Sequence, residues 1–164
     1  MWLGNHEVKS NVSSTVKAIF KEWGIKILQG ECENIVVRDN TISICGIDDI
    51  GIGQKAWEEQ IKNCNNSLSN HTYSVLLSHR PDLINEYKKY DFDLILSGHT
   101  HGGQVRIPKA LNGLYAPNQG FFPKIVGGEY KFRTLRLIVG RGLSKKVWPR
   151  VFNPPEIVTV DLKP

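Results

Sequence analysis

An octet in the middle of the chain, 97–104, carries two histidines separated by one residue, His99 and His101. The octet follows an apolar run over 92–96 that is typical of a buried strand, and Gly98 allows the chain to turn sharply where that strand ends. Residues two apart share a face of an extended segment, and at a tight loop their rings can surround one centre. Because imidazole nitrogen is a common ligand of divalent transition metals, this spacing indicates a metal site. The alternative is a polar loop whose histidines face solvent.

Another histidine, His79, follows the apolar run 73–77 in the same way. The segment 82–90, between the two runs, is predicted to be helical because a proline that suits the first turn of a helix precedes it. Two strands joined by a short helix favour a βαβ unit and therefore parallel neighbours. Ligands of open α/β sheets bind outside the carboxyl ends of the strands. His79, His99 and His101 are accordingly expected to converge.

Near the start of the chain, the segment 4–7 adds Asn5 and His6 as candidate site residues. An amide oxygen and imidazole nitrogens form a mixed set that suits a borderline divalent ion. Such an ion makes hydroxide available near neutral pH, and phosphate esters are often cleaved with two ions that share bridging carboxylates. Nothing in the sequence obviously supplies those carboxylates. Asp48 and Asp49 are interpreted as turn or helix-capping residues rather than as ligands.

Composition and charge are those of a globular protein. The 164 residues are enough for one domain with a core, 40% are apolar, and no segment has the length of a membrane-spanning helix or the pattern of a signal peptide. The net charge of +5 would attract a phosphate-bearing substrate, a nucleic acid or an anionic lipid surface, although scattered basic residues are more typical of a solvated face. Nucleic-acid binding is not expected, since neither a stacking motif nor a basic helix is present.

Three cysteines, Cys32, Cys45 and Cys64, are widely spaced and odd in number. They form no CxxC pair and no recognisable disulfide framework. We expect each of them to be a small packing residue, which fits a reducing cytoplasm.

Hydrophobic periodicity predicts the elements around these candidates. The predicted elements before the histidine segments are a helix from 13 to about 23, a short strand over 25–28, a hairpin over 33–47 and a helix over 54–63. The C-terminal part is loop-rich, with strands expected over 130–139 and 157–162. It is expected to form an antiparallel sheet packed behind the site-bearing sheet.

Three histidine-bearing segments together resemble one family of enzymes. The calcineurin-like metallophosphoesterases carry the ordered signature D-x-H, G-D-x-x-D, G-N-H-[DE], H and G-H-x-H. Its last three motifs match Gly4-Asn5-His6-Glu7, His79 and Gly98-His99-Thr100-His101. The longer segments 77–82 and 98–104, and the ending over 140–156, are similar to a bacterial subgroup of small phosphohydrolases. The resemblance spans essentially the whole chain.

The resemblance implies an α/β fold, part of a four-layer αββα sandwich with a mixed site-bearing sheet and a C-terminal antiparallel sheet. It implies that Asn5, His79 and His99 bind one metal and that His101 binds the other. His6 would lie near the phosphate and donate a proton to the leaving oxygen. The implied metals are Mn, Fe, Zn or Ni, two in a complete site.

The first two motifs of the signature are absent upstream of Asn5, so we expect 1–164 to be a single, N-terminally truncated domain, the C-terminal portion of a metallophosphoesterase. The missing segment would hold the bridging aspartate and most ligands of the first metal. The implied function is metal-dependent hydrolysis of phosphomonoesters or phosphodiesters by activated hydroxide. The alternative is a catalytically defective relic that binds a single metal or phosphate.

The resemblance also bears on partners and location. The substrate is expected to be a small-molecule or lipid-linked phosphate ester. A cytoplasmic location is expected. Because relatives with an N-terminal membrane anchor occur in the resembling subgroup, peripheral membrane association through a part that precedes Met1 is a further expectation.

Overall fold

A mixed β-sheet of six strands runs through the part of the chain that the computed structural model describes, residues 13–69, 72–143 and 149–163. The helices in these ranges are α1 (Ser13–Glu22), α2 (Gln54–Asn66) and α3 (Ile84–Tyr87). The strands are β1 (Glu31–Val37), β2 (Asn40–Gly46), β3 (Tyr73–Leu77), β4 (Leu94–Ser97), β5 (Tyr115–Ala116), β6 (Gly120–Phe121), β7 (Gly128–Phe132) and β8 (Leu135–Val139). None of the helices in the described ranges is both long and apolar enough to traverse a lipid bilayer.

The large sheet has the strand order β1-β2-β3-β4-β8-β7. β2, β3, β4 and β8 are parallel neighbours, and β1 and β7 pair antiparallel at the two edges. The predicted βαβ unit is confirmed, because β3 and β4 pair in parallel with Val75 opposite Leu94. The hairpin predicted over 33–47 is also confirmed, as β1 and β2. The α/β class with a mixed sheet is therefore correct.

The C-terminal hairpin of β7 and β8 extends the large sheet, whereas the sequence predicts a second sheet behind it. That prediction is wrong for 128–139, because β8 pairs in parallel with β4 and its Leu135, Leu137 and Val139 join the same core. The separate antiparallel sheet is the short β5–β6 pair. The strands predicted at 25–28 and 157–162 are not formed. Ile157 is 81% exposed and does not join the core.

Helix α2 covers one face of the sheet with Trp57, Ile61 and Cys64, which recur at helical spacing and are each at most 1% exposed. They pack in one cluster with residues of the parallel strands, including Leu76 and Ile95. Burying a large apolar side chain stabilises a fold by about 1.5–3 kcal/mol. The cluster therefore holds together the strands that lead to the histidines.

The helix predicted over 82–90 is shorter in the structure, where a 3₁₀ turn, Pro81–Leu83, precedes α3. Tyr87 of α3 is fully buried, and its hydroxyl lies 2.7 Å from the Ser78 hydroxyl. The same hydroxyl lies 2.7 Å from the carbonyl oxygen of Arg80, to which it donates. His79 lies between these two anchored residues, so α3 fixes the backbone from which its imidazole projects.

A disulfide joins Cys32 of β1 to Cys45 of β2, which face each other across the hairpin. The prediction that all three cysteines are separate packing residues is therefore wrong for this pair. With the bond in place, the cysteine count no longer indicates a reducing compartment. Cys64 is a free, fully buried thiol, and burial raises its pKa to about 12. It behaves as the packing residue that the sequence predicts.

Candidate metal centre

The loops that follow three neighbouring parallel strands meet at one edge of the sheet. Asp49 follows β2, His79 follows β3 and His99 follows β4. Carboxyl ends of parallel strands share an edge, where ligands of α/β sheets bind. The last two loops also contact each other directly, since the Gly98 amide donates to the His79 carbonyl at 3.4 Å. The sheet thus brings His79 and His99 together.

His79 and His99 lie with their imidazole rings in contact. His79 Nε2 and His99 Nδ1 are 3.0 Å apart, and the rings meet edge to face with centroids separated by 4.7 Å. Two nitrogens bound to one tetrahedral zinc at about 2.0 Å would lie roughly 3.3 Å apart. The pair therefore has nearly the separation of two ligands of one cation.

The second nitrogen of His99 is bonded to an amide. His99 Nε2 lies 2.8 Å from Asn118 Oδ1, and this oxygen can only accept, so Nε2 carries the proton. The lone pair of His99 is then on Nδ1, the atom that faces His79. Burial lowers the pKa of His99 from its usual value, which favours the neutral ring that metals bind. Nothing in the sequence marks Asn118, which lies in the turn between β5 and β6.

His101 lies two residues further along, in a 3₁₀ turn that runs from His101 to Gly103. Its backbone is left-handed, with φ of 49°, as is that of His99, with φ of 69°. Such values are uncommon for residues other than glycine. Buried Asn153 stabilises this turn, because its side-chain amide donates to the carbonyl of His101 at 2.7 Å and to that of Gln104 at 3.1 Å. The C-terminal segment thus maintains the loop shape.

The predicted metal ligands and the predicted proton donor lie only partly within the described residues. Asn5 and His6 lie outside them. Among the described residues, three possible ligand atoms lie close together at Cys32, Cys45 and Cys64. No such group of three forms around His79 and His99 within the described ranges. His101 is therefore not a third ligand of the same cation in this arrangement. The assignment of His101 to the other metal stays a prediction.

Charged residues surround the histidine pair. Arg80 forms a two-bond ion pair with Asp82, at 2.9 and 2.6 Å, and this carboxylate raises the pKa of Arg80. Asp49 caps the following 3₁₀ turn through the Gly51 amide at 2.9 Å, as its interpretation as a capping residue predicts. Its other carboxylate oxygen is buried without a partner among the described residues. The edge therefore carries both signs of charge close to the imidazoles.

Comparison with curated proteins finds relatives along nearly the whole chain. Cj0846 of Campylobacter jejuni, named as a metallophosphoesterase, is 33% identical over 98% of this chain and 41% of its own length. YkuE of Bacillus subtilis, also named as a metallophosphoesterase, is 29% identical over 98% of this chain and 54% of its own length. The chain belongs to the metallophosphoesterase superfamily. The family predicted from the motifs is confirmed.

A third relative is named by its substrate. LpxG of Chlamydia muridarum, a UDP-2,3-diacylglucosamine pyrophosphatase, is 32% identical over 74% of this chain and 37% of its own length. The chain spans about half the length of the curated relatives it matches. No family model and no solved structure matches this metallophosphoesterase chain.

Proposed function

We propose that this chain provides metal-binding histidines of a phosphoesterase that hydrolyses phosphomonoesters or phosphodiesters. The observation that carries the proposal is the 3.0 Å separation of His79 Nε2 and His99 Nδ1 at the carboxyl edge of the sheet. The names of the relatives, metallophosphoesterase and pyrophosphatase, agree with this class of reaction. The alternative, a catalytically defective relic that binds a single metal or phosphate, is not better supported by these relatives.

The donor set fits a divalent cation such as Mn, Fe, Zn or Ni. When bound, such a cation supplies activated water near neutral pH and offsets the charge of the phosphate. In the proposed assignment, Asn5, His79 and His99 hold one ion, and His101 belongs to a second. Further ligands, including a bridging carboxylate, would complete the site.

Two other side chains have proposed roles beside the metals. His6 donates a proton to the leaving oxygen, the role that its motif implies by resemblance. Asn118 orients His99 by accepting from its Nε2, so that Nδ1 is always the nitrogen offered to a cation. Arg80 is occupied by its pair with Asp82, and we do not assign it to the phosphate.

We also propose how the sheet is layered in the complete domain and which class of substrate it acts on. The six-stranded sheet, with its parallel centre and helix α2 on one face, would be the site-bearing sheet of a four-layer αββα sandwich. The substrate would be a small-molecule or lipid-linked phosphate ester, in keeping with the name of LpxG. Cytoplasmic location and peripheral membrane association stay predictions.

The function is tested by hydrolysis of bis(p-nitrophenyl) phosphate, with the longest polypeptide that the gene encodes. We expect release of p-nitrophenol that needs Mn²⁺ and stops in EDTA. His79→Ala should slow it by roughly 100-fold or more, the scale seen when one charge-stabilising group is removed from an active site. Absence of metal-dependent turnover, with p-nitrophenyl phosphate as well, would reject the assignment.

The role of Asn118 gives a separate prediction. Asn118→Ala should weaken Zn²⁺ binding by about 10–100-fold, the usual effect of losing a partner that orients a metal-bound histidine. Asn118→Asp keeps an acceptor and should restore most of the affinity. Calorimetry measures the affinity, and long-range ¹H–¹⁵N spectra of the metal-free chain report the tautomer of His99.

The matched control is Gln119→Ala in the same turn. The Gln119 side chain bonds the backbone of Ile125, at 2.6 and 3.1 Å, and does not touch His99. The Gln119→Ala substitution should leave the tautomer of His99 unchanged even if it loosens the turn. An unaltered tautomer in Asn118→Ala would contradict the proposed role.

A further inference from the structure

A cavity of about 520 Å³ is lined by residues that follow the histidine loop, and neither His79 nor His99 is among its lining residues. Three of its lining residues are cations, Arg106, Lys109 and Arg141, and no lining residue among those described is an acid. Ile107 and Phe152 supply apolar wall. Small-molecule sites have volumes of this order and combine apolar walls with a few polar groups.

The side chains of Arg106 and Arg141 meet over one glycine. A Cβ placed on Gly127 would lie 3.1 Å from Arg106 Nη1 and 3.0 Å from Arg141 Cγ, so both side chains pass directly over this glycine. Arg141 is paired with Glu156, which lies outside the cavity lining. One carboxylate beside three cations leaves a surplus of positive charge. Such a surplus in a concave site attracts an anion.

The cavity shares a wall with the histidine-bearing loop. A Cβ on Gly102 would lie 2.8 Å from both Cγ and Cδ of Arg141, so this side chain packs against the turn that follows His101. Arg150 donates from Nη2 to the Arg141 carbonyl at 2.9 Å, and its buried Nη1 has no partner among the described residues. A molecule that fills the cavity therefore lies beside the loop that carries His99 and His101.

We propose that this cavity binds an anionic group of the substrate other than the phosphate that reacts, namely a second phosphate. The proposal rests on the proposed function for the identity of the substrate. Guanidinium groups bind phosphate through charge-assisted hydrogen bonds. Arg106 donates from Nη2 to Asn112 Oδ1 at 2.7 Å and keeps Nη1 over Gly127, while Arg141 adds its charge from its pair with Glu156. The apolar wall contacts the organic part next to that phosphate. The chain would accordingly favour substrates with two anionic groups over simple monoesters.

Anion binding here needs no metal, so calorimetry with inorganic pyrophosphate in EDTA tests it. We expect the chain to bind pyrophosphate more tightly than inorganic phosphate. Arg106→Gln should weaken pyrophosphate binding about 10-fold, the effect of losing a hydrogen bond to a charged group. The control Lys131→Gln removes the same charge from the exposed strand β7 and should change nothing.

Three results would overturn the proposal: no binding at millimolar pyrophosphate, equal weakening in Arg106→Gln and Lys131→Gln, or loss of binding in His79→Ala. The last result would place the anion at the histidines instead. Failure of the hydrolase assay with pyrophosphate binding intact would count against the phosphoesterase function and not against the anion site. The two proposals therefore fail separately.

Discussion

His99→Ala is expected to abolish tight Zn²⁺ binding by this chain, because His99 supplies the nitrogen that faces His79 at 3.0 Å. The affinity should fall by more than about 100-fold, since losing only an orienting partner of a ligand already costs roughly 10–100-fold. Calorimetry at neutral pH without reductant measures it. Under these conditions Cys32 and Cys45 stay bonded and offer no thiolate to the metal.

His71→Ala is the matched control for this experiment, because it removes an imidazole that no motif surrounds. Far-ultraviolet circular dichroism shows whether each variant keeps its fold. A single site that disappears in His99→Ala supports the proposed centre, whereas an unchanged affinity rejects it. Two tight sites in the unaltered chain would contradict the alternative of a single-metal relic.

The part of the fold that carries the histidines is predictable because its signals are local. The runs 73–77 and 92–96 are apolar, short and bounded by turn residues, and the short segment between them favours parallel pairing. Parallel pairing then places the following loops at one edge, which is how His79 and His99 come to lie in contact. These signals lie within 73–98 and depend on no contact with distant residues.

What could not be predicted depends on partners far along the chain. β8 has the pattern of a half-buried strand, and no residue of it specifies β4 as its neighbour. The Cys32–Cys45 bond follows from the register of a hairpin, which the turn sets and composition does not. These features become visible only when the strands are placed side by side.

Asn118 illustrates the same limit within the site. An asparagine with φ of 65° in a turn is explained by turn chemistry alone. Its contact with His99 spans 19 residues and leaves no motif. The motif-bearing ligands could therefore be named from the sequence, while the residue that orients one of them could not.

Gly103→Ala should destabilise the fold far more than Gly120→Ala. Both glycines have left-handed backbones, with φ of 73° and 74°, so an alanine costs each about 1–2 kcal/mol of backbone strain. At Gly120 an added Cβ meets nothing within 4 Å, whereas at Gly103 it would lie 2.5 Å from the Cα of Gly113. Relieving an overlap of this kind typically costs a further 1–3 kcal/mol or so. Urea unfolding of the two variants measures the difference.

The comparison separates backbone conformation from close packing, because only the second differs between the two positions. The Gly103 carbonyl accepts from the Leu114 amide at 2.9 Å, so a shift that admits the new methyl group must also move this contact. The 3₁₀ turn containing His101 would move with it. Zn²⁺ affinity should fall in Gly103→Ala and hold in Gly120→Ala. Equal loss of stability in the two variants would show that Gly103 is needed only for its left-handed backbone. The close approach of Gly103 to Gly113 would then not shape the histidine loop.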